Sequence, residues 1–358
     1  MNSDSKVRLI SFYLPQFHPI PENDEWWGKG FTEWTNVGKA KPLFPGHYQP
    51  KVPADLGYYD LRLAEVREQQ AILAKEAGIE GFCYWHYWYE GKRLLERPFN
   101  EVLTSNQPDF PFCLFWANHS WYAKNWNKDV KDKLLIEQTY GDEADYVNHF
   151  FDVLPAFKDS RYIKVDGKPI FGIYSYKNFP KVSEFIQKWQ SLALSNGLPG
   201  IHFLTISYKS KEQNSVFSLG FDAIVFDLAF LRKTTSRYFL LFLHKVFKIP
   251  QIIHYRDYAK ALVNHMPIED KIYPCVIPNF DHTPRSGRRG SVMVNSTPKE
   301  WYRLLTNLFS KIKGKEPSRN LVFVKSWNEW AEGNYMEPDL RYGRGYINAL
   351  RDALGKLE

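Results

Sequence analysis

Leu61-Arg-Leu-Ala-Glu-Val-Arg-Glu-Gln-Gln-Ala-Ile-Leu-Ala-Lys-Glu-Ala-Gly-Ile-Glu-Gly-Phe-Cys-Tyr-Trp85 carries two periodicities in succession. From Leu61 to Ala77 the Leu, Val, Ile and Ala side chains fall on one face of a helix. Gly78 then stands where a helix C-cap belongs, because glycine enters the left-handed conformation without a Cβ penalty. Gly81–Trp85 follows as a compact apolar and aromatic run, the pattern of a strand covered on both faces of a parallel sheet.

The same alternation extends in both directions. Strands are predicted at Val7–Leu14, Phe112–Ala117, Pro169–Tyr174, His202–Ser207, Ala223–Asp227, Tyr273–Asn279 and Leu321–Trp327. Helices are predicted at Glu143–Phe157, Lys181–Asn196, Tyr255–His265, Pro298–Ile312 and Tyr346–Leu357; Thr297-Pro298 is a sound helix start and Gly197 a second cap. Repeated βα units with no linker predict one α/β domain over residues 1–358, a (β/α)₈ or TIM barrel, with a doubly wound open sheet as the alternative. A barrel gathers its functional side chains at the C-terminal ends of its strands, and the unusual polar and aromatic residues follow the strands here. Gln16 and His18 follow the first, His86 the second, Asn118 and His119 the third, Asp227 the sixth, Asp281 and His282 the seventh, Glu329 and Glu332 the eighth. The segment 15–59 is far longer than an ordinary βα loop and rich in Trp, Tyr, Phe, Pro and Gly, so it is expected to be ordered and to roof the cleft.

An aromatic content of 17% is above average, and the rings have two uses: stacking on a pyranose in a cleft, and a large core that takes most of the Phe. The net charge of +7 is scattered apart from Arg285, Arg288, Arg289 and the basic segment 232–248, so no nucleic-acid partner is expected. Cys83, Cys113 and Cys275 lie in apolar runs without CxxC spacing and read as reduced core residues. No cofactor is expected. A zinc site from His18, His86 and His119 has no supporting spacing, and Gly287-Arg-Arg-Gly lacks the ending of a phosphate loop, although with Arg285 it could take an anionic sugar or lipid phosphate. Met1–Arg8 has no apolar signal-peptide region and no run reaches membrane-span length, so a cytoplasmic protein is expected. Tyr238–Phe247 reads as a core helix, or alternatively as a membrane-surface contact.

The sharpest chemical signal is Lys325-Ser-Trp-Asn-Glu-Trp-Ala-Glu-Gly-Asn-Tyr-Met-Glu-Pro. Glu329 and Glu332, three apart at the start of a last helix, would share a face. Two close carboxyls cannot both ionise freely, so one donates a proton while the other stays anionic, as glycosidic cleavage requires. The plainer reading is a solvated helix start with acids favouring its dipole; Trp327, Trp330, Asn328 and Gly333 argue against it, since an exposed turn needs no indoles. Trp85, His86, Tyr87 and Trp88 offer a sugar platform, with either His86 or Tyr87 expected in the cleft, and barrel-core packing explains part of this run. The full set of candidate substrate contacts is Gln16, His18, Trp85, His86, Tyr87, Asn118, Tyr174, Asp227, Asn279, Asp281, Asn328 and Trp330.

Phe12-Tyr-Leu-Pro-Gln-Phe-His-Pro, Gly30-Phe-Thr-Glu-Trp, His47-Tyr-Gln-Pro, Gly81-Phe-Cys-Tyr-Trp-His-Tyr-Trp and Trp327-Asn-Glu-Trp-Ala-Glu-Gly together resemble the WbsX branch of the glycoside hydrolase family 99-like proteins. The resemblance implies a (β/α)₈ barrel linked to bacterial O-antigen or other surface polysaccharide, and a retaining, endo-acting attack on α-mannosides through a 1,2-anhydro sugar. Carried onto the matching motif, it makes Glu329 the base on the sugar 2-hydroxyl and Glu332 the general acid, then general base. Ala331 stands where the hydrolases usually carry His. It implies a polysaccharide or lipid-linked oligosaccharide substrate and possible peripheral contact with membrane-bound glycan machinery. A glycosyltransferase of surface-polysaccharide assembly and an inactive carbohydrate-binding barrel are the alternative readings.

Overall fold

A computed structural model describes residues 7–123, 133–228 and 249–357. Eight parallel strands form its centre: β1 (Arg8–Tyr13), β2 (Gly81–His86), β3 (Phe112–Trp116), β4 (Lys168–Ile173), β5 (His202–Ser207), β6 (Ala223–Asp227), β7 (Ile272–Val276) and β8 (Leu321–Val324). Each pairs with the next, and β8 returns to β1 with Arg8 opposite Leu321 and Ser11 opposite Val324. This closure makes a (β/α)₈ barrel and rules out the open sheet, which would leave two unpaired edges.

The interior is filled by side chains. Phe12 on β1 touches Trp85 on β2 (4.5 Å, stacked), Phe323 on β8 and Phe115 on β3. A ring that reaches a strand two positions away must point into the barrel, and this aromatic layer closes it below the mouth. Cys83 and Cys113 are register partners on β2 and β3, and they and Cys275 are buried free thiols, as predicted.

The outer ring comprises α1 (Ala64–Ala77), α2 (Arg97–Ser105), α3 (Glu143–Lys158), α4 (Val182–Ser195), α5 (Gln213–Phe217), α6 (Tyr255–His265), α7 (Pro298–Ile312) and α8 (Gly345–Gly355). Helices α2 and α5 were absent from the sequence prediction. Helix α5 is barely more than one turn, too short to show a 3.6-residue period, and α2 opens on Arg97-Pro98 with only Pro98, Phe99 and Val102 buried. Thr297 accepts from the Glu300 N–H and caps α7. Gly78 ends α1 at φ 84°, where a Cβ would sit 2.4 Å from Leu354 of α8, so both backbone and packing demand glycine.

The long segment after β1 is ordered. It contains two short helices, Pro21–Trp27 and Glu33–Gly38, and lies across the barrel mouth. Among the described residues no helix is long and apolar enough to cross a membrane. The basic segment 232–248, with Tyr238–Phe247, lies outside the described residues.

Candidate active site

At the C-terminal mouth lies a cavity of about 620 Å³, a size suited to a small-molecule or glycan ligand. Its floor includes Trp85. Its roof comes from the long first loop, through Gln16, Trp27, Phe31, Glu33, Thr35, Asn36 and Lys39. His282, Arg285 and Ser286 from the loop after β7, and Lys325, Glu329 and Glu332 after β8, complete one side; Tyr87, His119, Trp121, Tyr122 and Tyr174 supply the other.

Glu329 and Glu332 do not begin a helix. Asn328–Glu329 pairs antiparallel with Asn334–Tyr335, and Trp330–Glu332 form a single 3₁₀ turn between them. In a 3₁₀ turn side chains three apart eclipse, so the two carboxyls still meet, for a different reason from the one the spacing suggested. Gly333 closes the turn at φ 52°, with a Cβ position 2.5 Å from Lys51 Nζ and 2.7 Å from Asp281 Cβ. The turn is held from behind: the Asp281 N–H donates to the Glu332 carbonyl (2.6 Å) and Lys51 to the Gly333 carbonyl (3.1 Å).

The two carboxyls have unlike surroundings. Glu329 is buried and accepts one hydrogen bond, from Trp85 Nε1 at 2.7 Å. Burial, reinforced by the charge of Glu332, pushes it up to about 7. Glu332 is half-buried; burial pushes it up, but the Arg285 guanidinium 2.5 Å away, then His282 and Lys325, outweigh that and bring it to about 2. The two carboxyls also share a hydrogen bond. Below about pH 7 the pair therefore holds one proton, favoured on Glu329 by its burial and kept off Glu332 by Arg285. Arg285 in turn contacts Glu33 (3.0 Å), and Lys325 contacts the buried Asp227 (3.3 Å).

The sequence model of the family described as Glycosyltransferase WbsX matches residues 9–350. The chain belongs to the WbsX family. The protein WxcX of Xanthomonas campestris pv. campestris is 36% identical over 353 residues; the match takes in 97% of this WbsX chain and 49% of WxcX, so the chain spans about half the length of that relative. Among solved structures, the GH99 endo-α-mannosidase from Bacteroides thetaiotaomicron superposes with a TM-score of 0.60 at 14% identity, covering 98% of this chain and 97% of that one. A glycoside hydrolase-like protein superposes at 0.62 and 13% identity, covering 99% and 95%. At these identities the likeness is one of barrel fold.

Of the sequence-predicted residues, Gln16, Trp85, Tyr87, Tyr174, Glu329 and Glu332 line the cavity of this WbsX barrel. Asp227 stands behind the wall and holds Lys325. The others are placed elsewhere. His86 turns outward and contacts His149 of α3 (2.8 Å), so of His86 and Tyr87 only the latter faces the cavity. His18 is buried, with burial lowering it to about 4. Asn118 ties the loop after β3 to Ser175, and Asn328 clasps both backbone groups of Leu14. Asn279 clasps Tyr335, while Asp281 accepts from His47 and Gln49; both line a separate cavity of about 180 Å³. Trp330 is buried, stacked on Tyr335 and donating to Glu337. Asn118, Asn279, Asp281, Asn328 and Trp330 are thus polar or aromatic groups near a strand end whose donors and acceptors fix a loop.

The sequence reading did not single out Glu33, Lys325 or Trp27 as site residues. Glu33 lies in Gly30-Phe-Thr-Glu-Trp, which contributed to the resemblance but gave no role. Arg285, considered as an anion site, is already shared by two carboxylates, and the exposed Arg288 and Arg289 are not part of the cavity wall.

Proposed function

We propose that this WbsX chain is a carbohydrate-active enzyme that cleaves glycans internally with retention, with Glu329 and Glu332 as its catalytic pair. The observation that carries the reading is the pair itself: two hydrogen-bonded carboxyls on the wall of a ring-lined cavity, driven apart in acidity by burial on one and Arg285 on the other. A base acts best when its acidity lies close to the working pH, and Glu329 meets that condition. In the proposed reaction Glu329 takes the proton of the sugar 2-hydroxyl, whose oxygen closes on the anomeric carbon to give a 1,2-anhydro sugar. Glu332 gives its proton to the departing oxygen, then accepts one from the water that opens the ring, while Glu329 returns its proton to the 2-oxygen. At rest the shared proton sits on Glu329, so substrate must first draw it across the hydrogen bond to Glu332. The substrate class is an α-mannoside-like polysaccharide or lipid-linked oligosaccharide.

The family description favours a second reading, transfer to a sugar. The same pair supports it if an acceptor hydroxyl replaces water at the second step. Incubating wild type, Glu329→Gln and Glu332→Gln with α-mannoside-containing bacterial polysaccharide, with and without oligosaccharide acceptors, tests both. New reducing ends, lost in both variants, support hydrolysis; elongated acceptors, lost in both, support transfer. Activity that needs a nucleotide sugar and survives both substitutions overturns the role of the pair.

A further inference from the structure

We propose that Glu33 is a positioning residue for the carboxylate pair: it anchors Arg285 against Glu332 and so fixes which of Glu329 and Glu332 carries their shared proton. The inference rests on the reading of that pair given above and adds a third acid that the family motif alone does not explain.

Glu33 opens the short helix Glu33–Gly38 in the roof and is only 2% exposed. A carboxylate withdrawn from water this far is disfavoured unless a cation meets it: burial pushes Glu33 up, and Arg285 opposes that. The cation here is Arg285, which reaches it through Nη2 (3.0 Å) and Nε (3.3 Å) and leaves Nη1 for Glu332. The rigid guanidinium fork makes this division possible; a lysine ammonium is a single point and cannot hold both acids in the same geometry. Arg285 is a long side chain on a loop facing a wide cavity, and among the described residues the carboxylate that holds its Nε side is Glu33.

The groups facing Glu332 come from five elements. Arg285 and His282 (3.8 Å) approach from the β7 loop, Lys325 from the end of β8, His119 from the β3 loop, Glu329 from its own turn and Glu33 from the roof. Glu33 acts on Glu332 in two opposed ways. Its negative charge disfavours a second anion nearby, while its hold on Arg285 favours one. The guanidinium contacts Glu332 directly, whereas Glu33 stands on its far side, so the anchoring effect dominates. The two contributions therefore predict opposite results when Glu33 is removed.

The test is a carboxyl-carbon NMR titration of the full chain labelled with ¹³C-glutamate, with Glu329 and Glu332 assigned from their Gln variants. In Glu33→Ala the Glu332 midpoint should rise by about one pH unit or more, and Glu33→Gln, which keeps one acceptor for Arg285, should show a smaller rise. A Glu332 midpoint that stays or falls in Glu33→Ala overturns the proposal. If Glu33→Ala does not fold, Arg285→Lys decides: the charge remains but cannot bridge, so the Glu332 midpoint should rise, and an unchanged midpoint overturns the proposal. The titration needs no substrate. Absence of glycan cleavage with a shifted midpoint sinks the proposed function alone, whereas cleavage that depends on Glu329 and Glu332 with an unmoved midpoint sinks the role of Glu33 alone.

Discussion

Glu329 and Glu337 lie in the same segment after β8, and burial pushes both up to about 7. Their surroundings differ. Glu337 receives Trp330 Nε1 (2.6 Å), Gln70 Nε2 (2.6 Å) and the Tyr59 hydroxyl (2.9 Å), and borders no described cavity. Among the described residues Glu329 receives only Trp85; it faces a second carboxyl and opens onto the main cavity. A displaced acidity therefore marks a buried acid in both places but a candidate chemical site in one. The difference is whether lone pairs remain for a substrate, and whether a substrate can reach them.

The largest effect that could break this contrast is catalytic. Glu329→Gln and Glu332→Gln should each lower glycan cleavage by about 10³-fold, the scale of a lost general acid or base, with binding retained. Glu337→Gln should fold and keep far more activity; equal loss in all three would erase the distinction. Gly333→Ala attacks the turn that presents the pair. Its φ of 52° and the 2.5 Å approach to Lys51 should cost roughly 1–3 kcal/mol, read as a lower thermal midpoint.

Acidity separates the sites further. Glu329 and Glu337 each move from 4.5 when unfolded to about 7 when folded, so between those values the folded chain holds the extra protons. Their contribution to stability therefore falls as pH rises from about 4.5 to 7 and is level above. Glu332, depressed to about 2, acts in the other window: its contribution is present above 4.5 and is lost as pH falls towards 2. Thermal midpoints across pH should show a shallower fall between 4.5 and 7 in Glu337→Gln, with the pH dependence of cleavage preserved. Glu329→Gln should flatten the same slope and remove cleavage. The smallest effect belongs to Tyr59→Phe, which withdraws one donor from Glu337 and should cost about 1 kcal/mol in chemical denaturation.

Much of the architecture was legible because strand and helix periods are local. His202–Ser207 and Ala223–Asp227 agree with the observed strands at both ends, and Pro298–Ile312 and Tyr255–His265 with the observed helices. The prediction overran at Leu321–Trp327, where the strand stops at Val324 and the chain bends into the carboxylate turn. Lys325 and Ser326 are polar there, but Trp327 resumes the apolar run two residues on, and extending the strand to that ring carried it past its end. The lining of the main cavity was legible at Glu329 and Glu332 and less so around them. Strand-end position selects residues near the mouth, yet one step of side-chain alternation separates Tyr87, facing the cavity, from His86, facing α3.

The amino-acid order by itself determined the βα repeat, the family and the acidic pair, since each depends on neighbours close in the chain. Only the tertiary structure decided how unlike the surroundings of the two acids are, because Trp85 reaches Glu329 from β2 and Arg285 reaches Glu332 from the loop after β7, both far away in the chain. Electrostatic interaction and burial depend on separation in space, and the closing of the barrel is what makes those separations small.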